Sequence, residues 1–149
     1  MLCEELMERE VEWASPGDTV LDAARKMREF DVGFLPVCEA DGRVIGVITD
    51  RDIALRVVAQ DLSASTNVSN AMTKDVVYCN PTDEVGLAEK RMGERQISRI
   101  VCLGDDRELL GVISLSDILD VEEEKGARQM FQQVKAGHRG ASQPGATYH

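Results

Sequence analysis

The chain has 149 residues, of which 43% are hydrophobic and 30% are charged, and its formal net charge at pH 7 is −10. This length is sufficient for one compact domain, or for two small halves that share a core. The negative charge argues against non-specific binding to nucleic acid and against attraction to anionic membranes. No apolar run approaches the ~20 residues of a membrane span, and the acidic start MLCEELMERE does not resemble a signal peptide.

The first half of the chain predicts a strand, a helix, a β-hairpin and a second helix. The first helix follows a predicted N-cap at Asp18 and has apolar residues at helical spacing: Val20, Ala23, Ala24, Met27 and Phe30. The hairpin turns at Asp41-Gly42, a common turn dipeptide. The predicted bounds are 10–14 for the first strand, 34–38 and 43–49 for the hairpin, and 51 to about 59 for the second helix.

The second half of the chain repeats the first. A shift of 65 positions aligns residues 7–53 with residues 72–118 without a gap, with identities such as Pro16/Pro81 and Met27/Met92. The same elements are therefore predicted again. They are a strand at 75–79, a helix after an N-cap at Asp83, hairpin strands at 99–103 and 108–114, and a helix from 116 to about 124.

The repeat divides the chain into four predicted parts. Residues 1–60 form the first repeat, 61–67 a linker rich in Ser, Thr and Asn, and 68–125 the second repeat. Residues 126–149 form a C-terminal helix and a flexible tail. The helix is indicated by an apolar stripe of Met130, Phe131 and Val134, and the tail by the Gly- and Ser-containing composition from Gly137 onward.

Both repeats contain a motif in which a buried strand leads directly into a helix. The motifs are GVITDRDI at 46–53 and GVISLSDI at 111–118. A helix N-terminus and a hydroxyl can hold a phosphate, and a carboxylate one turn later can accept both hydrogens of a ribose diol. Thr49 with Asp52, and Ser114 with Asp117, therefore fit a sugar-phosphate site. The same two pairs also fit a capping box, in which they only satisfy backbone donors of the helix.

The cysteines and histidines point to a reduced, non-catalytic protein. The four cysteines are widely spaced and include no C-x-x-C pair, so they are predicted to be free thiols in a cytoplasmic protein. Both histidines, His138 and His149, lie in the C-terminal region and form no metal-ligand set with the cysteines. No nucleophile and base occur together, so no catalytic residue, metal or required cofactor is predicted, and the chain is not expected to be an enzyme.

Two β-α-β-β-α units that each end in G-h-h-T/S-x-x-D-h, where h is apolar, resemble the cystathionine-β-synthase (CBS) domain pair. The resemblance covers residues 3–125 and is strongest to small stand-alone bacterial CBS proteins. It implies an α/β (α+β) fold in which two repeats pack with pseudo-two-fold symmetry and leave two clefts between them. It also implies a homodimer that forms through the helices after the motifs.

The resemblance further implies that the clefts bind an adenosyl ligand: AMP, ADP, ATP, NAD or S-adenosylmethionine. Asp52 and Asp117 would hold the ribose, and Thr49 and Ser114 the phosphate. Arg51, beside Asp52 in the first motif, and Arg99, on a hairpin strand, are the predicted phosphate-binding cations. The adenine would lie against Ala14, Ser15, Leu35 and Pro36 in one cleft, and Cys79, Asn80, Ile100 and Val101 in the other.

Two functions follow from this reading. In the first, the chain senses an adenine nucleotide and signals to an unknown regulated protein, with no nucleic acid or membrane involved. In the second, the pockets are vestigial and the chain is a dimeric interaction module that needs no ligand. If ligand binds, the Thr49/Asp52 cleft is expected to be tighter, because the first motif carries Arg51 beside Asp52 and is followed by Arg56, whereas the second motif is followed by Glu122 to Glu124.

Overall fold

The computed structural model describes residues 1–121 and 125–140, and these residues form helices and short strands in alternation. The elements of the first half are α1 (Cys3–Leu6), α2 (Val20–Phe30), β1 (Phe34–Cys38), β2 (Val44–Thr49), α3 (Asp50–Ile53), a π-helical turn (Ala54–Val58) and α4 (Val68–Ala71). Those of the second half are β3 (Tyr78–Cys79), α5 (Val85–Arg95), β4 (Arg99–Leu103), β5 (Leu109–Ser114), α6 (Leu115–Val121) and α7 (Lys125–Gly140). The predicted α+β class is confirmed.

These elements form two compact units, and neither unit is continuous in sequence. The first-repeat unit comprises Glu12–Val76 with Asp106–Leu109. The second-repeat unit comprises Met1–Val11, Val77–Asp105 and the described chain from Leu110 onward. The first eleven residues therefore pack with the second repeat, although the sequence places them before the first.

The first-repeat unit is built on the β1–β2 hairpin. The strands are antiparallel, with Phe34 opposite Thr49 and Leu35 opposite Ile48. The turn places Gly42 at φ 88°, a conformation that glycine adopts without strain. A contiguous apolar core forms between the hairpin and the helices of this unit, and its buried members include Val20, Ala23, Leu35, Val37, Ile48 and Val68.

The second-repeat unit contains a three-stranded sheet in the order β3–β4–β5. β3 is parallel to β4, with Tyr78 opposite Val101 and Cys79 opposite Cys102. α5, α6 and α7 contribute to its core, whose buried members include Met92, Ile100, Ile113, Ile118, Met130 and Val134. α7 has no counterpart in the first-repeat unit.

The first strand of each repeat is much shorter than predicted. β3 contains two residues of the predicted 75–79, and in the first repeat only Ala14 pairs, through a parallel bridge to Val37. The Ala14 N–H donates to the Pro36 carbonyl, and the Cys38 N–H donates to the Ala14 carbonyl, each at 2.9 Å. Residues 10–13 form no strand, so the prediction of a strand from residue 10 is wrong.

Both predicted N-caps are wrong by one residue. Thr19 caps α2 and Glu84 precedes α5. The aspartate before each cap instead closes the preceding proline turn: Asp18 accepts the Ser15 N–H at 2.9 Å, and Asp83 accepts the Asn80 N–H at 2.8 Å. A short carboxylate that satisfies its own turn in this way is not available to the helix.

The apolar stripes of the helices are largely as predicted. Val20, Ala23 and Met27 are buried on α2, and Met130 and Val134 are buried on α7. Phe30 and Phe131 do not belong to the core, because Phe30 is 45% exposed and Phe131 is 42% exposed. α7 extends to Gly140, so residues 137–140 are helical rather than part of a tail, and 141–149 lie outside the described residues.

The helices after the motifs differ from the prediction in form. In the first repeat, one turn of α-helix gives way to a π-helical turn, in which the Ala59 N–H reaches the Ala54 carbonyl at 2.9 Å. In the second, α6 ends at Val121, and residues 122–124 lie outside the described part of the chain. None of the helices among the described residues is both long and apolar enough to traverse a bilayer.

Candidate functional site

Each motif places its hydroxyl at the end of a central strand and its carboxylate one turn into the helix that follows. Thr49 Oγ1 accepts the Asp52 N–H at 3.0 Å, and the Asp52 carboxylate accepts the Thr49 N–H at 3.1 Å. Ser114 and Asp117 form the same two bonds at 3.1 and 3.2 Å. The capping-box interpretation is therefore confirmed in both repeats, and it does not use all the acceptor positions of either carboxylate.

A third capping box shows that this arrangement is not specific to the motifs. Thr19 and Asp22 share the T-x-x-D spacing at the start of α2 and form the same pair of bonds, at 3.1 and 3.0 Å. The hydrogen bonds from the backbone and then the side chain of Thr19 lower the pKa of Asp22. Because α2 follows a loop rather than a strand, this box provides a natural reference for capping alone.

The first motif has two further donors around its carboxylate. The Thr73 hydroxyl donates towards the Asp52 oxygens, at 3.3 and 3.4 Å, and Arg56 Nε lies 3.7 Å from Asp52 Oδ1. Arg56 Nη1 also donates to the Met72 carbonyl at 2.8 Å. The Asp52 side chain is only 13% exposed, whereas that of Arg56 is 49% exposed. The carboxylate is thus held in place, and the cation beside it remains accessible to solvent.

Backbone pairing with β2 brings Thr73 to this position. The Val47 N–H donates to the Thr73 carbonyl at 2.9 Å, and the Thr73 N–H donates to the Val47 carbonyl at 2.8 Å. A Cβ at Gly46 would lie 2.9 Å from the Thr73 carbonyl oxygen and 2.7 Å from Met72 Sδ. The motif glycine is therefore required for the close approach of the 72–73 segment.

The second motif is built in the same way but has different neighbours. Glu8 pairs with Val112 through backbone bonds of 2.9 and 3.0 Å, and a Cβ at Gly111 would lie 2.7 Å from the Glu8 carbonyl oxygen. Under the 65-residue shift, Glu8 stands where the first repeat has Thr73, and Val121 stands where it has Arg56. Within the described chain, Asp117 forms its capping bonds and no ion pair.

The two predicted phosphate-binding arginines lie near the motifs. Arg51 is in the first turn of α3, half-buried, directly before Asp52. Arg99 begins β4, the strand beside β5, which carries Ser114. Its equivalent in the first repeat, Phe34, pairs with Thr49. Their role in binding phosphate stays a prediction.

The predicted adenine-pocket residues fall into three groups. Ala14, Leu35, Cys79 and Ile100 belong to the two apolar cores. Pro36 and Val101 are buried but lie outside those cores, because alternate strand residues face opposite sides of a sheet. Ser15 and Asn80 start the proline turns. Contact of these residues with an adenine stays a prediction.

Sequence reasoning missed Thr73 as a neighbour of Asp52 and identified Arg56 only as a nearby cation. The signal was present in the repeat, since the alignment begins at Met7/Met72, one residue before the segment that pairs beside each motif. The described side chains contain no group of three or more histidine, cysteine or acidic residues placed to hold a metal ion.

Comparison with known proteins identifies both repeats. Residues 3–59 and 68–124 each match the CBS domain family. The chain is 38% identical over 112 residues to the CBS domain-containing protein YhcV of Bacillus subtilis, a match that covers 75% of this chain and 79% of that protein. It is 32% identical over 116 residues to inosine-5'-monophosphate dehydrogenase of Methanocaldococcus jannaschii, but it spans only 22% of that enzyme.

A solved structure shares the fold. The CBS domain protein PAE2072 from Pyrobaculum aerophilum, complexed with AMP, superposes with a TM-score of 0.74 at 24% identity, and the match covers 91% of this chain and 99% of that one. At this identity the likeness establishes the fold alone. With two matched domains, a close relative of the same size and a shared fold, the chain belongs to the CBS domain family as a tandem pair.

Proposed function

We propose that this CBS pair is a regulatory module that binds AMP, ATP or a related adenosyl ligand and signals its presence to a partner protein. The observation that carries the proposal is the pair of strand-to-helix junctions, each with a hydroxyl and a partly exposed carboxylate. Asp52 and Asp117 would accept the ribose hydroxyls. Thr49 and Ser114, with Arg51 and Arg99, would bind the phosphate. The AMP complex of a protein with the same fold supports this ligand class.

The capping boxes are compatible with a bound ligand. An ionised carboxylate has about four lone-pair positions, and each capping box uses one of them for a backbone N–H. A ribose diol can donate to positions that remain. At Asp52 it would share the carboxylate with Thr73 and Arg56, whereas at Asp117, among the described residues, it would share it only with the capping bonds to Ser114. The two sites therefore offer the same group in different electrostatic settings.

One observation favours the second candidate function, a dimeric interaction module that needs no ligand. Asp52 already has a hydroxyl donor, a backbone donor and a cation around it, so the first motif is satisfied by the chain itself. A carboxylate satisfied in this way can be purely structural, as Asp22 is at the start of α2.

A thermal-shift screen with AMP, ATP, NAD and S-adenosylmethionine separates the two functions. A ligand that binds only the folded state at 100 times its Kd stabilises it by about 2.7 kcal/mol, which raises the melting temperature. The matched variants are Asp52→Ala with Asp117→Ala, and Asp22→Ala as the capping reference. The sensor predicts a shift that the motif double variant loses and Asp22→Ala keeps. No shift with any of the four ligands favours the interaction module.

The proposal includes a homodimer through the helices that follow the motifs. Each of these helices exposes apolar side chains: Leu55 and Val58 in the π-helical turn are 40% and 71% exposed, and Val121 in α6 is 48% exposed. Burial of such side chains between two copies would be favourable. Light scattering tests this, and a mass of one chain at all concentrations would contradict it.

The remaining parts of the proposal concern context. We place the module in the cytoplasm, with no catalytic activity and no nucleic-acid or membrane partner, acting on a protein that its ligand-bound form recognises. Two CBS domains account for most of the chain, and the enzyme related to it is matched over only 22% of its own length. Affinity capture with and without AMP would identify a ligand-dependent partner.

A further inference from the structure

The second-repeat unit contains a cluster of three thiols that the proposed ligand sites do not use. Cys3 on α1, Cys79 on β3 and Cys102 on β4 are all free, and each is 0% exposed in the same core. Cys79 lies directly opposite Cys102 in the parallel β3–β4 pair. The Cys79 thiol interacts with those of both Cys3 and Cys102, and is therefore the central member. The Cys3 thiol also donates to the Glu84 carbonyl at 3.9 Å.

The first repeat shows that the fold does not need sulfur at these positions. Under the 65-residue shift, the three cysteines correspond to Val68, Ala14 and Val37. These residues are also 0% exposed, and Ala14 and Val37 form the equivalent parallel bridge. Ordinary apolar side chains thus fill the same place in the other core. The three thiols are an addition to one of two equivalent cores.

The contacts among the thiols favour a reactive form. The hydrogen bond from Cys79 lowers the pKa of Cys3 and, likewise, that of Cys102. The pKa of Cys79 is raised by its bonds to Cys102 and Cys3 and by burial. Cys38, which has no thiol neighbour of this kind, is a reference: burial alone raises its pKa to about 11. Because the thiolate is the nucleophile, Cys3 and Cys102 are better prepared for oxidation than Cys38.

We propose that Cys3 and Cys79 are a site of reversible oxidation, at which a peroxide converts the two thiols into an intramolecular disulfide. Cys79 and Cys102 are less suited to bond directly. Paired strands lie about 4.7–4.9 Å apart, and a disulfide needs a Cβ–Cβ separation of about 3.5–4.5 Å. Cys3 is on a four-residue helix outside the sheet, and can move towards Cys79 without breaking the β3–β4 pairing.

The reaction balances with hydrogen peroxide as the oxidant. The Cys3 thiolate attacks one peroxide oxygen, the O–O bond breaks, and the departing hydroxide takes a proton to become water. The Cys79 thiol then attacks the sulfur of the Cys3 sulfenic acid; the S–S bond forms, the S–O bond breaks, and the thiol proton leaves with the hydroxyl group as the second water. Two thiols and one peroxide give one disulfide and two waters. A dithiol reductant reverses the bond.

Access to the cluster requires α1 to move, and the disulfide would then restrain it. α1 is attached through backbone bonds from Cys3 to the Asp83 carbonyl, at 2.8 Å, and from Glu4 to the Pro81 carbonyl, at 2.9 Å. So short a helix has little stability of its own and can open locally. Once formed, the disulfide would tether the segment that ends at Glu8, which pairs beside the second motif.

The test is mass spectrometry of the full-length protein after treatment with hydrogen peroxide, without reductant. The expected result is a mass loss of two hydrogens and a peptide that links Cys3 to Cys79, reversed by a dithiol. Cys102→Val, which copies Val37, should still form the link. Cys3→Val and Cys79→Ala, which copy Val68 and Ala14, should not form it, and each should remain folded by circular dichroism.

A second measurement does not depend on any variant. Alkylation of the treated wild-type protein in denaturant should modify two fewer cysteines than in the untreated protein, with Cys38 still modified. Three outcomes would overturn the proposal: all four thiols remain alkylatable, the linked pair is Cys79 with Cys102, or the linkage joins two separate chains.

Discussion

The two motif sites share their backbone construction and differ in the side chains around the carboxylate. In both, a glycine lets a neighbouring segment pair with the motif strand, and a hydroxyl and an aspartate cap the following helix. The first carboxylate then has Thr73 and Arg56 beside it, whereas the equivalent positions in the second repeat are Glu8 and Val121. The backbone arrangement is therefore shared by the two sites, and the side chains next to the carboxylate differ.

This difference bears on the choice of ligand. An anionic ligand at the first site would meet the accessible guanidinium of Arg56, a group that suits phosphate oxygens. At the second site the equivalent position is apolar, and the residue that pairs beside the motif is acidic. We therefore expect the first site to suit ligands with more negative charge, and that it is the tighter one for a nucleotide stays a prediction. The predictions below test first what the sites share and then what separates them.

Substitution of the motif glycines should have the largest effect. Gly46→Ala places a Cβ 2.9 Å from the Thr73 carbonyl oxygen, and Gly111→Ala places one 2.7 Å from the Glu8 carbonyl oxygen. Each should lower the free energy of unfolding by about 1–3 kcal/mol, as overpacking does. Chemical denaturation measures this. Gly86→Ala is the control, because nothing lies within 4 Å of its Cβ position. A loss at only one motif would show that the two sites are not built alike.

Removal of the motif carboxylates should have the second-largest effect, which is on ligand binding. Asp52→Ala should weaken AMP binding more than Asp117→Ala, by roughly 1–3 kcal/mol for the lost hydrogen bonds. Calorimetry measures both, with Asp22→Ala as the reference for loss of a helix cap. If Asp117→Ala abolishes binding while Asp52→Ala leaves it intact, the assignment of the tighter site is reversed.

Exchange of the neighbouring cation should have a smaller effect. Arg56→Ala should weaken ATP binding and reduce its salt dependence. Val121→Arg should place a guanidinium one turn after Asp117 and strengthen binding at the second site. Each change should be about 0–1 kcal/mol, since a half-exposed ion pair contributes little. Calorimetry at two salt concentrations, with Arg28→Ala on exposed α2 as a control, measures it. Tighter ATP binding by Arg56→Ala would mean that Arg56 competes with the ligand for Asp52.

Truncation of α7 should have the smallest effect. Met130 and Val134, which are buried residues of this helix, precede its last turn. Truncation after Ala136 removes Gly137, which lies against Gln96, and should lower the melting temperature only slightly. Truncation after Gly140 should leave it unchanged, as expected for a flexible tail. If truncation after Gly140 lowers the melting temperature by more than a few degrees, residues 141–149 support the fold.

The sequence was sufficient for the elements with strong periodicity. The strands at 34–38 and 99–103 have the predicted bounds, and α2 covers its predicted apolar stripe although it begins one residue later than predicted. α1 and α4, of four residues each, are too short to show a helical period. The N-caps failed because Asp18 and Thr19 are both good caps, and only the proline turn decides between them.

The sites were predictable in part for the same reason. The hydroxyl and carboxylate of each motif lie three residues apart, so their pairing is a local property of the sequence. The neighbours of Asp52 are different in kind. Thr73 lies 21 residues away and is brought to Asp52 by backbone pairing, which no local pattern encodes. Whether Arg51 and Arg99 bind a phosphate, and whether Pro36 and Val101 contact an adenine, depends on a ligand and stays a prediction.

The first eleven residues pack with the second-repeat unit, and this has a consequence for folding during synthesis on the ribosome. Glu12–Val76 is made early and can begin to fold, but Met1–Val11 must wait for residues 77–112 before its partners exist. Until then the apolar side chains of Cys3 and Met7, both buried in the finished protein, remain in water. The contacts that close the second-repeat unit span most of the chain, so its completion should be the slow step of folding.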